Sequence, residues 1–281
     1  MSRARGSEHE RFRARYGPWA VVAGASSGLG AELATQLAGR GLNLLLLARR
    51  GELLESLAAK LRAERSVEIR IAAIDLGAPD LLARVRAASD DLEIGLLVYN
   101  AAFAPLGPFF AHSLEDKLRT VDVNCRGPLI LADLFGRQMI ARGRGGIVLM
   151  SSMAGSRGSP LVATYAATKA FNLVLAEGLW DELASFGVDV LACRPGATRT
   201  PNYEATEPVG RVPLMEPEPV VRCALDALGS KPSVVPGWIN QVSDFFLGRL
   251  LSRRAAIRIM GRATRALYPQ AALKAKPPTE E

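Results

Sequence analysis

Six short apolar runs, the first five each followed by a longer segment of helical spacing, constrain this chain more than any other feature. The runs are "WAVVAG" (19–24), "LNLLLLA" (42–48), "VEIRIAAID" (67–75), "IGLLVYN" (94–100), "GGIVLMSS" (145–152) and "VDVLACRPG" (188–196), with "PSVVPG" (232–237) as a candidate seventh. Helical spacing covers 29–41, 51–64, 78–89, about 113–141 and about 162–186. The run 67–75 alternates and then runs apolar, and the others are apolar along most of their length. Strands of this kind alternating with helices call for a parallel sheet between two helical layers. Right-handed crossovers then give a doubly wound sheet whose ligand site lies at the carboxyl ends of the strands. The expectation is an α/β chain, a single-domain, Rossmann-like, doubly wound parallel sheet of about seven strands with helices on both faces.

No linker or low-complexity stretch breaks this pattern before about residue 269. The expected organisation is a basic N-terminal segment at 1–16, the Rossmann-fold domain at 17–240, and a basic helical C-terminal extension and tail at 241–281. Composition suits a full core, with 49% of residues hydrophobic and 22% charged. The chain carries +7, but residues 1–15 hold +3 and residues 249–281 hold +6, which leaves the body between them at −2. A near-neutral body with basic tails does not present a nucleic-acid groove, so no nucleic-acid partner is expected. No apolar run approaches the roughly 20 residues that span a bilayer. The arginine-rich start has no apolar stretch behind it and does not read as a secretory signal. Cys125, Cys193 and Cys223 are odd in number and far apart, which suggests neither a disulfide framework nor a thiolate metal cluster. A reducing cytoplasm is the expected location.

The first strand runs into "AGASSGLG", with Gly24, Gly28 and Gly30 at the strand-to-helix turn. Glycines there let backbone approach a pyrophosphate, and free N–H groups at the helix start favour the anion. Ser26, Ser27 and Leu29 lie in the same turn. Any tight strand-to-helix turn also favours glycine, so the loop alone decides little. "YAATK" (165–169) places a phenol and an ammonium one helical turn apart. A structural reading makes Tyr165 a half-buried packing residue and Lys169 a solvated surface charge. A chemical reading makes them a pair. A free phenol, with a pKa of about 10, is a poor base at neutral pH. A cation roughly 4 Å away at an effective dielectric near 20 contributes about 4 kcal/mol, enough to lower that value by about 3. Desolvation opposes the effect. The balance brings the phenol toward the range where general acid–base catalysis is efficient.

The glycine spacing is G-x-x-x-G-x-G rather than G-x-G-x-x-G. It resembles the short-chain dehydrogenase/reductase family, whose loop reads T-G-x-x-x-G-x-G. Ala23 stands where the family has a threonine whose hydroxyl ties the turn, so a softer loop that still binds is expected. The resemblance runs from about 17 to 240. "YNAA" (99–102) is similar to the family's N-N-A-G segment, "VDVNCRG" carries Asn124 at the family's helix asparagine, Ser152 precedes Tyr165 by thirteen residues, and "CRPGATRT" resembles the P-G-x-x-x-T segment.

The resemblance implies a carbonyl–alcohol oxidoreductase. Tyr165 would be the proton donor or acceptor, and Lys169 its partner and a holder of the nicotinamide ribose. Ser152 would bond the substrate oxygen, and the Asn124 carbonyl would hold a relay water. Asn100 would shape the sheet end beside the cofactor. Ala101, Ala102, Pro195, Gly196, Thr198 and Thr200 would contact the cofactor, the last four by closing on the nicotinamide. Asp75 and Leu76 would contact the adenine. Where NAD-preferring members carry an acid, this chain has Ala48 followed by Arg49 and Arg50. A guanidinium there suits a 2′-phosphate, so NADP(H) is expected over NAD(H). The preference suggests reduction as the working direction.

Phe103, Leu106, Phe109, Ala154 and the loop 201–217 are candidate substrate walls. Their apolar character points to a bulky hydrophobic carbonyl or alcohol. Homodimers or homotetramers through 113–141 and 162–186 are expected. In the tail, Phe246, Leu250 and Ile257 fall on one stripe of a continuous helix, with arginines around it. Packing on the domain or on a sister subunit is preferred to peripheral membrane contact, because along one helix those charges do not segregate. Two other functions are weighed. A redox sensor that binds NADP(H) without turnover commonly lacks the tyrosine or lysine, and both are present here. A zinc dehydrogenase has few ligands to draw on, with only His9 and His112 and scattered cysteines.

Overall fold

The computed structural model describes residues 2–210 and 212–268. The chain begins with α1 (Ser2–Tyr16), β1 (Trp19–Ala23), α2 (Gly28–Gly39), β2 (Asn43–Ala48), α3 (Gly51–Glu64), β3 (Ile69–Ala73), α4 (Leu81–Ser89) and β4 (Ile94–Tyr99). It continues with α5 (Leu114–Val121), a wide π turn (Asp122–Arg126), α6 (Gly127–Arg142), β5 (Gly145–Met150), α7 (Ala163–Ala184) and β6 (Val188–Cys193). Last come α8 (Pro201–Glu204), α9 (Pro217–Ala227), β7 (Ser233–Val234), α10 (Trp238–Phe245), a second wide π turn (Phe246–Leu250) and α11 (Arg253–Leu267).

The seven strands form one parallel sheet in the order β3-β2-β1-β4-β5-β6-β7. The order reverses between β1 and β4, and the ends of these strands open a crevice at that point. β2 shows why the sheet is buried on both faces. Leu44 and Leu46 pack with Leu33, Leu37, Leu54 and Val221 of α2, α3 and α9. Leu45 and Leu47 turn the other way, toward Val85, Phe135 and Ala176 of α4, α6 and α7. Alternate side chains of one leucine run thus feed two cores.

The structure departs from the sequence reading at both ends. The basic N-terminal segment does not stand apart from the domain. Its helix buries Phe12 and Tyr16 in the first core layer. The Tyr16 hydroxyl donates to Asp189 at 2.6 Å, Arg15 pairs with the same carboxylate, and Arg40 lies over the Phe12 ring at 4.6 Å. Arginine content hid a two-residue apolar anchor. The helical region 113–141 is α5 and α6 joined by a π turn, and the seventh strand is only two residues long.

The C-terminal extension is helical but not one helix. The backbone breaks at Leu251–Ser252, and the Ser252 hydroxyl caps α11 by accepting from Ala255 N at 3.2 Å. The break resets the helical phase, so Phe246, Leu250 and Ile257 do not share a stripe. The tail beyond Tyr268 lies outside the described residues. No helix among them is long and apolar enough to cross a membrane.

Candidate active site

A cleft of about 800 Å³ opens at the carboxyl ends of the strands, over the β1–β4 reversal. The glycine loop forms one end. Gly24 takes φ +86°, and a Cβ there would lie 2.6 Å from the Ala101 backbone. A Cβ on Gly30 would lie 1.9 Å from the Gly24 carbonyl oxygen, so helix α2 can approach the turn only through glycine. The Asn100 amide donates to the same carbonyl at 2.9 Å, and Ala101 N donates to Ala23 O at 2.9 Å. Asn100 therefore ties the end of β4 to the turn after β1. Gly28 faces Thr200, whose methyl would sit 2.9 Å from a Cβ at that glycine. The segment after β6 thus closes over the glycine loop. Thr200 also caps α8 by accepting from Tyr203 N at 3.2 Å, and Thr198 donates to Gly196 O at 3.1 Å.

Arg50 reaches back over this loop. Its Nη2 donates to the hydroxyls of Ser26 at 2.9 Å and Ser27 at 3.0 Å. Arg49 and Arg50 are both exposed, and both line the cleft beside Ala48, as do Ser26, Ser27, Leu29 and Ala102. Asp75 and Leu76 lie on the same wall. The Asp75 carboxylate accepts from Gly77 N at 3.0 Å and from Arg119 at 2.8 Å. Burial works against its ionised form, yet these two bonds prevail and its pKa stays below the usual carboxylate value. The sequence reading missed Arg119, which also lies over the Phe103 ring at 5.8 Å.

The other end holds the tyrosine and lysine on α7. Lys169 is 3% exposed, which rules out a solvated surface charge. Its Nζ donates to Met150 O at 2.6 Å and sits 5.6 Å from the centre of the Tyr165 ring. Ser151 supports the same turn, its hydroxyl donating to Lys169 O at 2.6 Å. Ser152 accepts from Ala154 N at 3.1 Å, and its hydroxyl lies near enough to Tyr165 to favour the phenolate form. It is therefore both a strand-end capping residue and a partner of the phenol.

Asn124, fully buried in the first π turn, does not line the cleft. Its side chain clamps Phe103, accepting from N at 2.8 Å and donating to O at 2.9 Å. It also donates to Thr168 at 3.0 Å. Its own carbonyl accepts from the Asn172 amide at 3.0 Å. Widening a helix to π geometry loosens the regular carbonyl ladder, which makes a backbone oxygen available to such a partner. Gly30, likewise behind the cleft wall, is the other residue outside the lining among those expected for catalysis or cofactor binding.

The electrostatics correct one expectation. The Tyr165 pKa is raised above the usual tyrosine value. The residue is half-buried, but its phenolic end lies deep in the cleft. Desolvation prevails over the opposing influence of the Ser152 hydroxyl, and nearby Tyr268 adds to the rise. The ammonium does not reverse this, because Lys169 is itself turned to the Met150 carbonyl. Burial brings the Lys169 pKa down to about 8, against the thiols Cys125 and Cys193.

The lowered lysine value has a consequence for stability. Between about 8 and its ordinary value of 10.5, the folded state binds less proton at Lys169 than the unfolded state does. This contribution is fully present above 10.5 and is lost as the pH falls through about 8. The urea stability of the wild type relative to Lys169→Met is therefore expected to rise with pH across that window. A flat difference would contradict the burial.

The substrate walls are partly new. Phe103 and Ala154 line the cleft with Asn202, Tyr203, Val212 and Pro213 of the 201–217 loop. Leu106 and Phe109 do not. Phe109 is 48% exposed and stacks against Phe110 and Lys117 instead. In their place come Asn240 at the end of the domain, Ser243 and Leu247 of the extension, and then Met260, Thr264 and Leu267 at one helical spacing on α11. The chain turns α11 back across the cleft, where Val209 N donates to Leu267 O at 2.9 Å. The spacing of Met260, Thr264 and Leu267 was legible in the sequence once Ser252 is taken as a helix start. Among the described residues no three His, Cys, Asp or Glu side chains gather as a metal site.

A family model described as short chain dehydrogenase matches residues 18–208. A 7beta-hydroxysteroid dehydrogenase of Clostridium sardiniense is 32% identical over 233 residues, covering 82% of this chain and 89% of that protein. A solved structure bearing on 7beta-hydroxysteroid dehydrogenase stereoselectivity superposes with a TM-score of 0.84 at 30% identity, covering 89% of this chain and 98% of the other. A short-chain dehydrogenase from Sphingobium yanoikuyae in complex with NADPH superposes with a TM-score of 0.72 at 35% identity, over 78% and 87% of the two chains.

Proposed function

The chain belongs to the short-chain dehydrogenase/reductase family, as an oxidoreductase acting on CH–OH groups, and on that premise we propose NADP(H) as its cofactor and a bulky, hydrophobic ketone or secondary alcohol as its substrate. The observation that carries this reading is one cleft with two chemically different ends. Two arginines and two serine hydroxyls gather at one end, and Ser152, Tyr165 and Lys169 at the other. The glycine turn, held so close to its own backbone that a Cβ at Gly24 or Gly30 would collide with it, leaves an open strand-to-helix loop that fits a dinucleotide.

Each residue then has a task. Backbone N–H groups at Gly28, Leu29 and the start of α2 hold the pyrophosphate. Arg50, with Arg49, holds the 2′-phosphate by charge-assisted bonds. The position of Ala48 leaves no carboxylate to repel it. Leu76 and Asp75 flank the adenine, and Asn100, Ala101 and Ala102 floor the site. Pro195, Gly196, Thr198 and Thr200 close over it. When bound, the nicotinamide supplies or accepts the hydride. Ser152 orients the substrate oxygen, and Tyr165 gives it a proton in reduction or removes one in oxidation. Lys169 holds the ribose, its ammonium turned to the Met150 carbonyl rather than to the phenol. Asn124 positions Phe103 and, through its carbonyl, a relay water. The substrate body lies against Phe103, Ala154, Leu247, Met260 and Leu267, an apolar wall suited to fused rings. The relatives named for hydroxysteroids support that size.

Three further parts of the reading are proposals of the same kind. Residues 17–240 with α1 make the catalytic unit, and the extension completes its substrate wall. Exposed Leu114, Leu118, Phe171 and Val174 on α5 and α7 suit a homodimer. The three free thiols suit a reducing cytoplasm.

The test is NADPH consumption by purified protein over a panel from cyclohexanone to steroid ketones. Turnover is expected with steroid-sized ketones and not with the small ring. Turnover confined to small ketones would overturn the substrate class. Failure to bind NADPH would overturn the cofactor, and tight binding with no turnover across the panel would favour a sensor.

A further inference from the structure

Helix α10 and the π turn that continues it are built inside out. Their outward positions, at helical spacing, are Trp238, Ile239, Val242, Phe245, Phe246 and Leu250. Trp238 is 73% exposed, Leu250 59%, and Phe245 and Phe246 51% each. The inward positions are Asn240, Ser243, Asp244 and Gly248, with Leu247 alone as a large apolar group. A surface helix ordinarily does the reverse. A continuous exposed apolar face of this kind marks an interaction site.

The surrounding charge identifies the partner. From Trp238 to Tyr268 the single acid is Asp244, and it is bonded to Arg194. The same span carries Arg249, Arg253, Arg254, Arg258, Arg262 and Arg265. None of the six is in an ion pair among the described residues. Arg249, Arg253 and Arg254 are exposed where the apolar face ends. Beside the helix, a cleft of about 670 Å³ adds Arg157 and Lys231 to Arg194 and Arg249.

We propose that this face docks the protein on an anionic lipid surface. The rings and aliphatic groups enter the boundary between headgroups and acyl chains, and the guanidinium groups meet lipid phosphates. A second copy of this chain is a poorer occupant, because a two-fold contact would bring the same arginines toward one another. The expectation that the extension packs only on protein is revised for a structural reason. The charges do not segregate along one helix. They segregate between two, with the apolar face on α10 and the arginines from its end onward into α11. The inner side of α10 lines the substrate cleft, so docking would set that wall against the lipid.

Co-sedimentation of the full chain with vesicles tests this. Binding is expected to vesicles of phosphatidylcholine with phosphatidylglycerol, to weaken as salt is raised, and to be much poorer with phosphatidylcholine alone. Two double variants probe the two contributions, Phe245→Glu with Phe246→Glu, and Arg253→Glu with Arg254→Glu. Each is expected to weaken partitioning by about thirtyfold or more, with far-UV circular dichroism and thermal midpoint unchanged. Failure of the wild type to bind the mixed vesicles overturns the proposal, as does full binding by either folded variant. A solution dimer that the phenylalanine pair of substitutions splits, with no vesicle binding, assigns the face to a second copy and also overturns it.

Discussion

Tyr165→Phe is expected to lower kcat by about a thousandfold while NADPH affinity changes by less than about threefold. The substitution removes one oxygen and keeps the ring, so the cleft retains its shape. The phenol lies beside Ser152, and burial in the protein alone raises its pKa. Lys169, with a pKa of about 8, is mostly an ammonium at neutral pH. On the proposed mechanism the proton stays on Tyr165 until charge develops on the substrate oxygen or arrives with the oxidised cofactor. Phenylalanine has no proton to give. Single-turnover rates and NADPH titration on one preparation separate the two effects. A fall in kcat below about tenfold would remove Tyr165 from the role of general acid–base.

Arg50→Ala is expected to weaken NADPH about thirtyfold and to leave NADH within about twofold. The guanidinium already lies over the glycine loop, bonded to Ser26 and Ser27 at 2.9 and 3.0 Å. A 2′-phosphate would meet a cation held in place by its neighbours, so little side-chain freedom is lost on binding. Charge-assisted bonds are worth about 1.5–3 kcal/mol, the basis for the thirtyfold figure. The NADH arm is decisive, because collapse of the loop would weaken both cofactors alike. Equal loss of both would assign Arg50 to loop support alone.

The residues that the fold gathers at the two ends of the cleft were legible in the sequence because they sit on regular elements. Tyr165 and Lys169 share one turn of α7, and Gly24, Gly28 and Gly30 mark one strand-to-helix turn. For these, spacing fixes geometry. Residues that meet across the fold were not legible. Arg119 reaches Asp75 from α5, 44 residues away, and Asn172 reaches the Asn124 carbonyl across 48. Nothing local in either segment announces the pairing. Phe109 looked like pocket wall, as any apolar loop residue does, until its ring was found against Lys117.

The run of apolar strands and helical segments by itself determined the seven-stranded parallel sheet, the end at which the cleft opens and the pair on α7. Period and glycine placement act over a few residues, and backbone hydrogen bonding converts them directly into strands, helices and turns. Tertiary structure decided what burial and long-range contact control. It raised the tyrosine pKa where a nearby ammonium was expected to lower it. It anchored an arginine-rich N-terminal helix through Phe12 and Tyr16. At Ser252 it divided the extension, turning α11 over the cleft and leaving the apolar face of α10 outward. Desolvation and packing depend on every neighbour at once, and those neighbours come together only when the chain has folded.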